Sequence, residues 1–335
     1  MRIDAALTAT SLADVPDAAR TIEAAGYDGT YTFEGPHDAM FPLLLAAEHT
    51  TRLRLTTAVL IAFARSPMTV AQTAYDLNLA SHGRFTLGLG SQIRTHIEKR
   101  FSMTWSQPAA HLREYVLAVR AIWAAWHEGA PLDFRGDFYS HTLMTPFFDP
   151  GPAPDGLPRI ALAGVGPRMT EVAGEVADGF IVHPFTTERF LREDTLPALR
   201  RGLDRAGRTA DDFEVMYPCM IAVGEDDAAL ARARDLARPR VAFYASTPAY
   251  RVVLDRHGWG ELQPELNRLS KTGDWAGMAA RIDDELLDAF VVSGPAATVG
   301  PTIRERYGDL VHRVSFDAST PLDPEQAATI MAALR

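Results

Sequence analysis

Residues 53–90 read LRLTTAVLIAFARSPMTVAQTAYDLNLASHGRFTLGLG, and the order of patterns along that stretch decides the fold. Leu53–Ile61 is rich in β-branched and apolar residues, as a buried strand requires. A helical pattern opens near Pro67, a residue suited to the first helical turn, and closes at His82-Gly83. Phe85–Leu89 is again a strand. Strand, helix, strand is the unit that joins parallel strands through right-handed crossovers.

The same rhythm extends in both directions. Upstream, Ile3–Leu7 reads as a strand, Leu12–Ala25 as a helix with Ser11 as N-cap and Gly26 as its stop, Gly29–Phe33 as a strand and Met40–His49 as a helix. Downstream, Pro108–His127 is a long amphipathic helix with Leu112, Tyr115, Val116, Val119, Ile122 and Trp123 on one side. A stretch dense in Pro, Gly and aromatics follows. Arg159–Ala163, Arg168–Ala177, Phe180–His183 and Glu188–Ala206 then resume the alternation. Val215–Val223 is strand seven, with the helix Asp226–Tyr244 after it, and Val311–Phe316 is strand eight, followed by a closing helix at Pro324–Leu334. Eight such units predict an α/β fold, the TIM (β/α)8 barrel, with an open doubly wound sheet as the alternative. One domain is expected over residues 1–335, with insertions at about 129–158 and 245–310.

Composition narrows the function. The chain of 335 residues has 33 Lys+Arg against 43 Asp+Glu, a formal charge of −10. That balance argues against duplex nucleic acid and anionic membrane surfaces as partners. A single cysteine, Cys219, excludes an intramolecular disulfide, a CxxC pair and a cysteine-rich metal site. No HExxH, GxSxG or P-loop pattern occurs, so zinc, serine-hydrolase and NTPase chemistries fall away and no metal is expected. The longest apolar run, Ala58 to Ala64, is far too short to span a membrane, which leaves a cytoplasmic protein acting on a small molecule as the expectation.

In a barrel, chemistry sits where the strands end. After strand two stand Glu34, Gly35, Pro36, His37 and Asp38, whose carboxylates and imidazole suit acid–base work; otherwise Asp38 caps the next helix and His37 is solvated. After strand four comes Gly88-Leu89-Gly90-Ser91-Gln92-Ile93-Arg94, where two glycines either let a flat ligand approach the backbone or only make a tight turn. Ala163-Gly164-Val165-Gly166-Pro167-Arg168 leads straight into a helix, so free N–H groups at a positive dipole end form a phosphate cradle or else a plain turn. His183 ends strand six and either touches substrate or is a structural histidine.

These segments resemble the bacterial luciferase-like monooxygenase superfamily. The likeness lies in Ala80-Ser81-His82-Gly83-Arg84-Phe85-Thr86-Leu87-Gly88-Leu89-Gly90, in Ala163–Pro167, and in Ala173-Gly174-Glu175-Val176-Ala177-Asp178-Gly179-Phe180-Ile181. Gln92-Ile93-Arg94 and His183-Pro184-Phe185 look most like the branch that uses the deazaflavin coenzyme F420. The resemblance implies a usually dimeric barrel whose mouth holds the cofactor ring, with the phosphate at the Gly166-Pro167 turn. It also implies a non-prolyl cis peptide after strand three, at Ala58–Val59, backing the ring. Ser91 and Gln92 would reach the ring or its ribityl chain, and Ala163 to Arg168 would hold the phosphate. Glu34 and His37, with His183 third, are the acid–base candidates. Ile93 and Gly35 depart from the family pattern, so the family's own acid–base assignment does not transfer. The expected activity is F420-dependent hydride transfer to or from an organic substrate. Alternatives are an FMN-dependent monooxygenase and a cofactor-free binding or structural barrel.

Overall fold

The computed structural model describes residues 1–335. Its strands are β1 (Arg2–Ala6), β2 (Gly29–Thr32), β3 (Arg54–Thr57), β4 (Leu60–Ile61), β5 (Phe85–Gly90), β6 (Phe134–Arg135), β7 (Ser140–His141), β8 (Arg159–Gly164), β9 (Gly179–Val182), β10 (Glu214–Val223), β11 (Val291–Gly294) and β12 (Arg313–Ala318). Eight of them, β1-β2-β3-β5-β8-β9-β10-β12, pair in parallel and close on β1. The TIM barrel expected from the alternation is therefore present, and the open sheet is not.

Local sequence explains the elements that build it. Ser66 caps the helix Pro67–Ala80 by accepting the Thr69 N–H at 3.2 Å, with Pro67 in its first turn. The helix Pro108–Glu128 buries the whole stripe read from its spacing. Each such aliphatic side chain contributes ~1.5–3 kcal/mol when fully buried. Glu114 on that helix accepts the N–H groups of Asp137, Phe138 and Tyr139 at 2.7–2.8 Å, which ties down the β6–β7 hairpin inside the Pro- and Gly-rich stretch. Phe138 in turn stacks on His111, and His111 on Phe63, just beyond β4.

The second irregular stretch differs from expectation. Residues 245–310 contain a strand, β11, and a helix, Ala296–Tyr307, that belong with the barrel. Along one edge of β10, β9 pairs with Glu214–Met216 and β11 takes over at Met220–Val223. Gly300 lets Ala296–Tyr307 press against Pro324–Leu334, since a Cβ there would lie 2.7 Å from Ala333 Cβ. The helix expected after strand seven does form, as Asp227–Ala245. It packs its Ala233, Val241 and Ala245 against Val253, Leu266 and Phe290 in a separate apolar cluster. Strand eight also starts and ends two residues later than read, at Arg313 and Ala318.

Strand alternation sorts the barrel interior by height. At the floor, Asp4 and Arg313 pair at 2.8 and 2.5 Å, and Arg54 on β3 crosses the interior to Glu214 on β10. Ala161, Ile181 and Met216 form a small apolar layer above. Ala58, Val59 and Ala163 are partly exposed on top of it, so at this level the wall of the mouth after β3 and on β8 carries short side chains.

Candidate active site

The strand-three side is locked by short-range clips. The peptide Ala58–Val59 is cis. Ala58 N–H donates to Thr32 O at 2.6 Å and Glu34 N–H to Val59 O at 3.2 Å, which joins this bulge to the end of β2. Glu34 Oε2 accepts both Ile61 N–H at 2.8 Å and Arg65 Nη1 at 2.7 Å, while Arg65 Nη2 reaches Asp38 at 2.7 Å. Burial alone would weaken the Arg65 charge, but hydrogen bonds to Glu34 and Asp38 outweigh it and hold the guanidinium above its ordinary pKa. Glu34 thus clips the end of β2 to residues 61–65. His37 is exposed and forms no side-chain hydrogen bond.

Gly88 and Gly90 do something other than admit a ligand to the backbone. A Cβ on Gly88 would lie 1.8 Å from Thr57 O and 2.8 Å from Ile181 Cδ1, and one on Gly90 2.6 Å from Val59 Cγ2. The protein itself fills the space in front of both, so their missing side chains seat the bulge. Gln92 has φ 60°, and its Oε1 accepts the next N–H, from Ile93, at 3.0 Å. The Ser91 hydroxyl donates to Gln92 O at 3.1 Å.

His183 stands on the inner face, in step with Gly179 and Ile181. Phe185 N–H donates to its Nδ1 at 3.0 Å, so the neutral ring carries its proton on Nε2. The ring lies 4.9 Å from Tyr244 and 4.3 Å from Tyr250. Burial pushes its pKa down to about 4. At neutral pH it is therefore a hydrogen-bond donor through Nε2. The sign of the pH effect follows, because the unfolded ring takes up a proton below about 6.5 and the folded one only near 4. Urea unfolding should show stability intact above that upper value and falling by up to about 3 kcal/mol through the window, with His183→Asn removing that part of the slope.

The Ala163–Arg168 segment ends strand β8 and leads directly into a helix. Gly166 is the N-cap of the helix Pro167–Val176, and no side chain caps that terminus. A Cβ on Gly166 would meet nothing within 4 Å, so the ground before the free N–H groups is open. Arg168 is exposed beside it. A groove of about 440 Å³ begins at Val165, Pro167 and Thr170 and runs past Arg201, Asp255 and Arg256.

Comparison with known proteins decides the family. The description "Luciferase-like monooxygenase" matches residues 1–313. The chain belongs to this family. An uncharacterised protein of Mycobacterium tuberculosis is 54% identical over 303 residues, covering 90% of this chain and 89% of that one. A second relative from the same organism, described as a putative coenzyme F420-dependent oxidoreductase, is 29% identical over 289 residues, covering 81% of each. Among solved structures, the coenzyme F420 dependent tetrahydromethanopterin reductase of Methanopyrus kandleri superposes with TM-score 0.77 at 21% identity, covering 99% of this chain and 96% of that one, a likeness of fold.

On this luciferase-like barrel, two features of the mouth escape the sequence reading. Arg65 is a lone cation just past an apolar run, and its two carboxylate partners lie 27 and 31 residues earlier. Asp317 pairs with Arg240 of the helix Asp227–Ala245. Strand eight, read as ending at Phe316, hid it; the alternation Arg313, Ser315, Asp317 would have placed it on the inner face.

Proposed function

We propose that this luciferase-like protein is an F420-dependent oxidoreductase that moves a hydride between the deazaflavin and a small organic substrate. The observation that carries the reading is the uncapped helix terminus at Gly166-Pro167. It opens onto free space, with Arg168 beside it, at the mouth of a barrel whose inner wall is short-chained. A flat ring with a phosphate tail fits both halves of that description. The F420-dependent relative and the fold neighbour support the choice of cofactor.

Bound there, a deazaflavin supplies hydride transfer at C5. The chain's own groups bind and orient. The free N–H groups of Gly166 and Arg168 and the Arg168 guanidinium would hold phosphate. The Glu34–Arg65 clip and the two seated glycines keep the bulge in place, where it would back a bound ring. His183 Nε2–H offers a donor to an oxygen or anionic nitrogen in the mouth. By the same family likeness, the protein is read as a homodimer.

Fluorescence titration of the purified protein with F420 and with FMN tests this. Tight F420 binding with weak FMN binding is expected, and Arg168→Ala should weaken F420 about tenfold, the loss of one charge-assisted phosphate contact. Preference for FMN would move the protein to the oxygen-using reading, and binding of neither would sink the enzyme assignment.

A further inference from the structure

Asp317 stands at the top of β12, two steps above Ser315 and four above Arg313 on the same inner face. Arg313 fixes that face as interior through its bond to Asp4, and Tyr31 on β2 reaches the Ser315 hydroxyl from across. The Asp317 side chain is 23% exposed, and its one protein partner is Arg240 through Oδ1, which leaves Oδ2 without a donor. Arg240 is 46% exposed and serves no other acceptor. One turn further along its helix, Tyr244 packs edge-on to His183. Imidazole donor, phenol, guanidinium and carboxyl therefore share one side of the mouth, opposite the short-chained wall that would back a flat ring.

The two carboxylates of the mouth are held differently. Glu34 is clamped on one oxygen by two donors, and its guanidinium, only 22% exposed, also serves Asp38. Neutralising Glu34 would strip a partner from an inward-packed cation. Asp317 has a single half-exposed partner that water can solvate when the carboxyl gives up its charge. Facing it are Arg240 and Tyr244 on the helix Asp227–Ala245 and Tyr31 on β2, so Arg240 is the one cation among them. Burial raises the Asp317 carboxyl above its ordinary range, and Arg240 offsets only part of that.

We propose that Asp317 is the proton donor and acceptor of the reaction in this mouth, with Arg240 holding its charge between turnovers; this rests on the hydride-transfer reading above. In the reducing direction, the carbon of a polarised C=O or C=N bond accepts the hydride and its two electrons from the reduced deazaflavin. The Asp317 carboxyl gives its proton to the heteroatom, so that C=X becomes CH–XH and the cofactor is oxidised. Arg240 pairs with the carboxylate left behind until solvent restores the proton. In the reverse direction the carboxylate takes the proton of the XH group as the hydride leaves.

The test compares the full-length protein with Asp317→Asn and Asp317→Glu. F420 affinity comes first, and wild type and variants should match. Reoxidation of bound reduced F420 is then followed against short aliphatic aldehydes and ketones over pH. Wild type should lose rate as pH rises through the Asp317 pKa. Asp317→Asn should be about 10²–10⁴-fold slower in kcat with KM little changed and that limb gone, and Asp317→Glu should regain part of the rate. Infrared difference spectra between acid and neutral pH supply a readout that needs no substrate: a protonated-carboxyl band of the F420 complex that titrates and is missing in Asp317→Asn. Cofactor binding with an Asn variant as fast as wild type overturns the role of Asp317 and leaves the cofactor reading standing. If no probe is reduced, the infrared band decides, its presence supporting the proposal and its absence overturning it. Failure of wild type to bind F420 overturns both.

Discussion

Gly88→Ala should cost at least about 3 kcal/mol and give mostly insoluble protein, because the new methyl group has nowhere to go. Its Cβ would sit 1.8 Å from the Thr57 carbonyl, and on the other side Ile181 Cδ1 is 2.8 Å away. The neighbourhood cannot yield piecemeal. The fully buried Thr57 hydroxyl donates to Gly88 O and accepts from Gly88 N–H, both at 2.8 Å, so moving the carbonyl breaks the tie between β3 and β5. Gly90→Ala meets a side-chain methyl, Val59 Cγ2, at 2.6 Å and should be milder, since a valine can turn. Gly166→Ala meets nothing within 4 Å at an ordinary extended φ of −76° and should melt like wild type. Thermal melts of the three variants check the order. Equal melting of Gly88→Ala and Gly166→Ala would disprove the seating role given to Gly88.

The second large effect is at the barrel floor. Arg313 is 1% exposed, and its guanidinium holds the Asp4 carboxylate through two hydrogen bonds. Arg313→Met removes the cation and leaves a carboxylate in the interior without its partner, a loss of about 3–5 kcal/mol. Asp4→Leu combined with Arg313→Met should recover much of that, because an apolar pair brings no stranded charge. There is little slack for rearrangement, since a Cβ on Gly29 would already lie 2.5 Å from Asp4 Oδ1. Denaturant unfolding of the single and double variants measures the difference. A double variant no more stable than the single one would show that packing, rather than the unpaired charge, sets the cost.

The barrel was legible because its evidence is local. Strand runs, proline at helix starts and the apolar stripe of Pro108–Glu128 each lie within one element. The uncapped helix start at Gly166-Pro167 was legible for the same reason, being a turn of six consecutive residues whose form follows from Gly and Pro. What escaped depends on contacts between distant parts of the chain. The two glycines of β5 read either as room for a ligand or as a tight turn, yet Thr57 of β3 stands in front of Gly88 and Val59 of the bulge in front of Gly90. Glu34 looked like a free carboxylate until Arg65 was brought to it. Residues 291–307 read as irregular because nothing in the sequence of β11 announces that it continues the edge β9 leaves on β10.

The paired charges at the floor have a further consequence for traffic. Asp4–Arg313 and the Arg54–Glu214 bridge shut the narrow end of the barrel, so it is a cup and not a tube. A ligand that reaches the interior therefore comes and goes by the end where the strands finish, past the side chains that line the mouth.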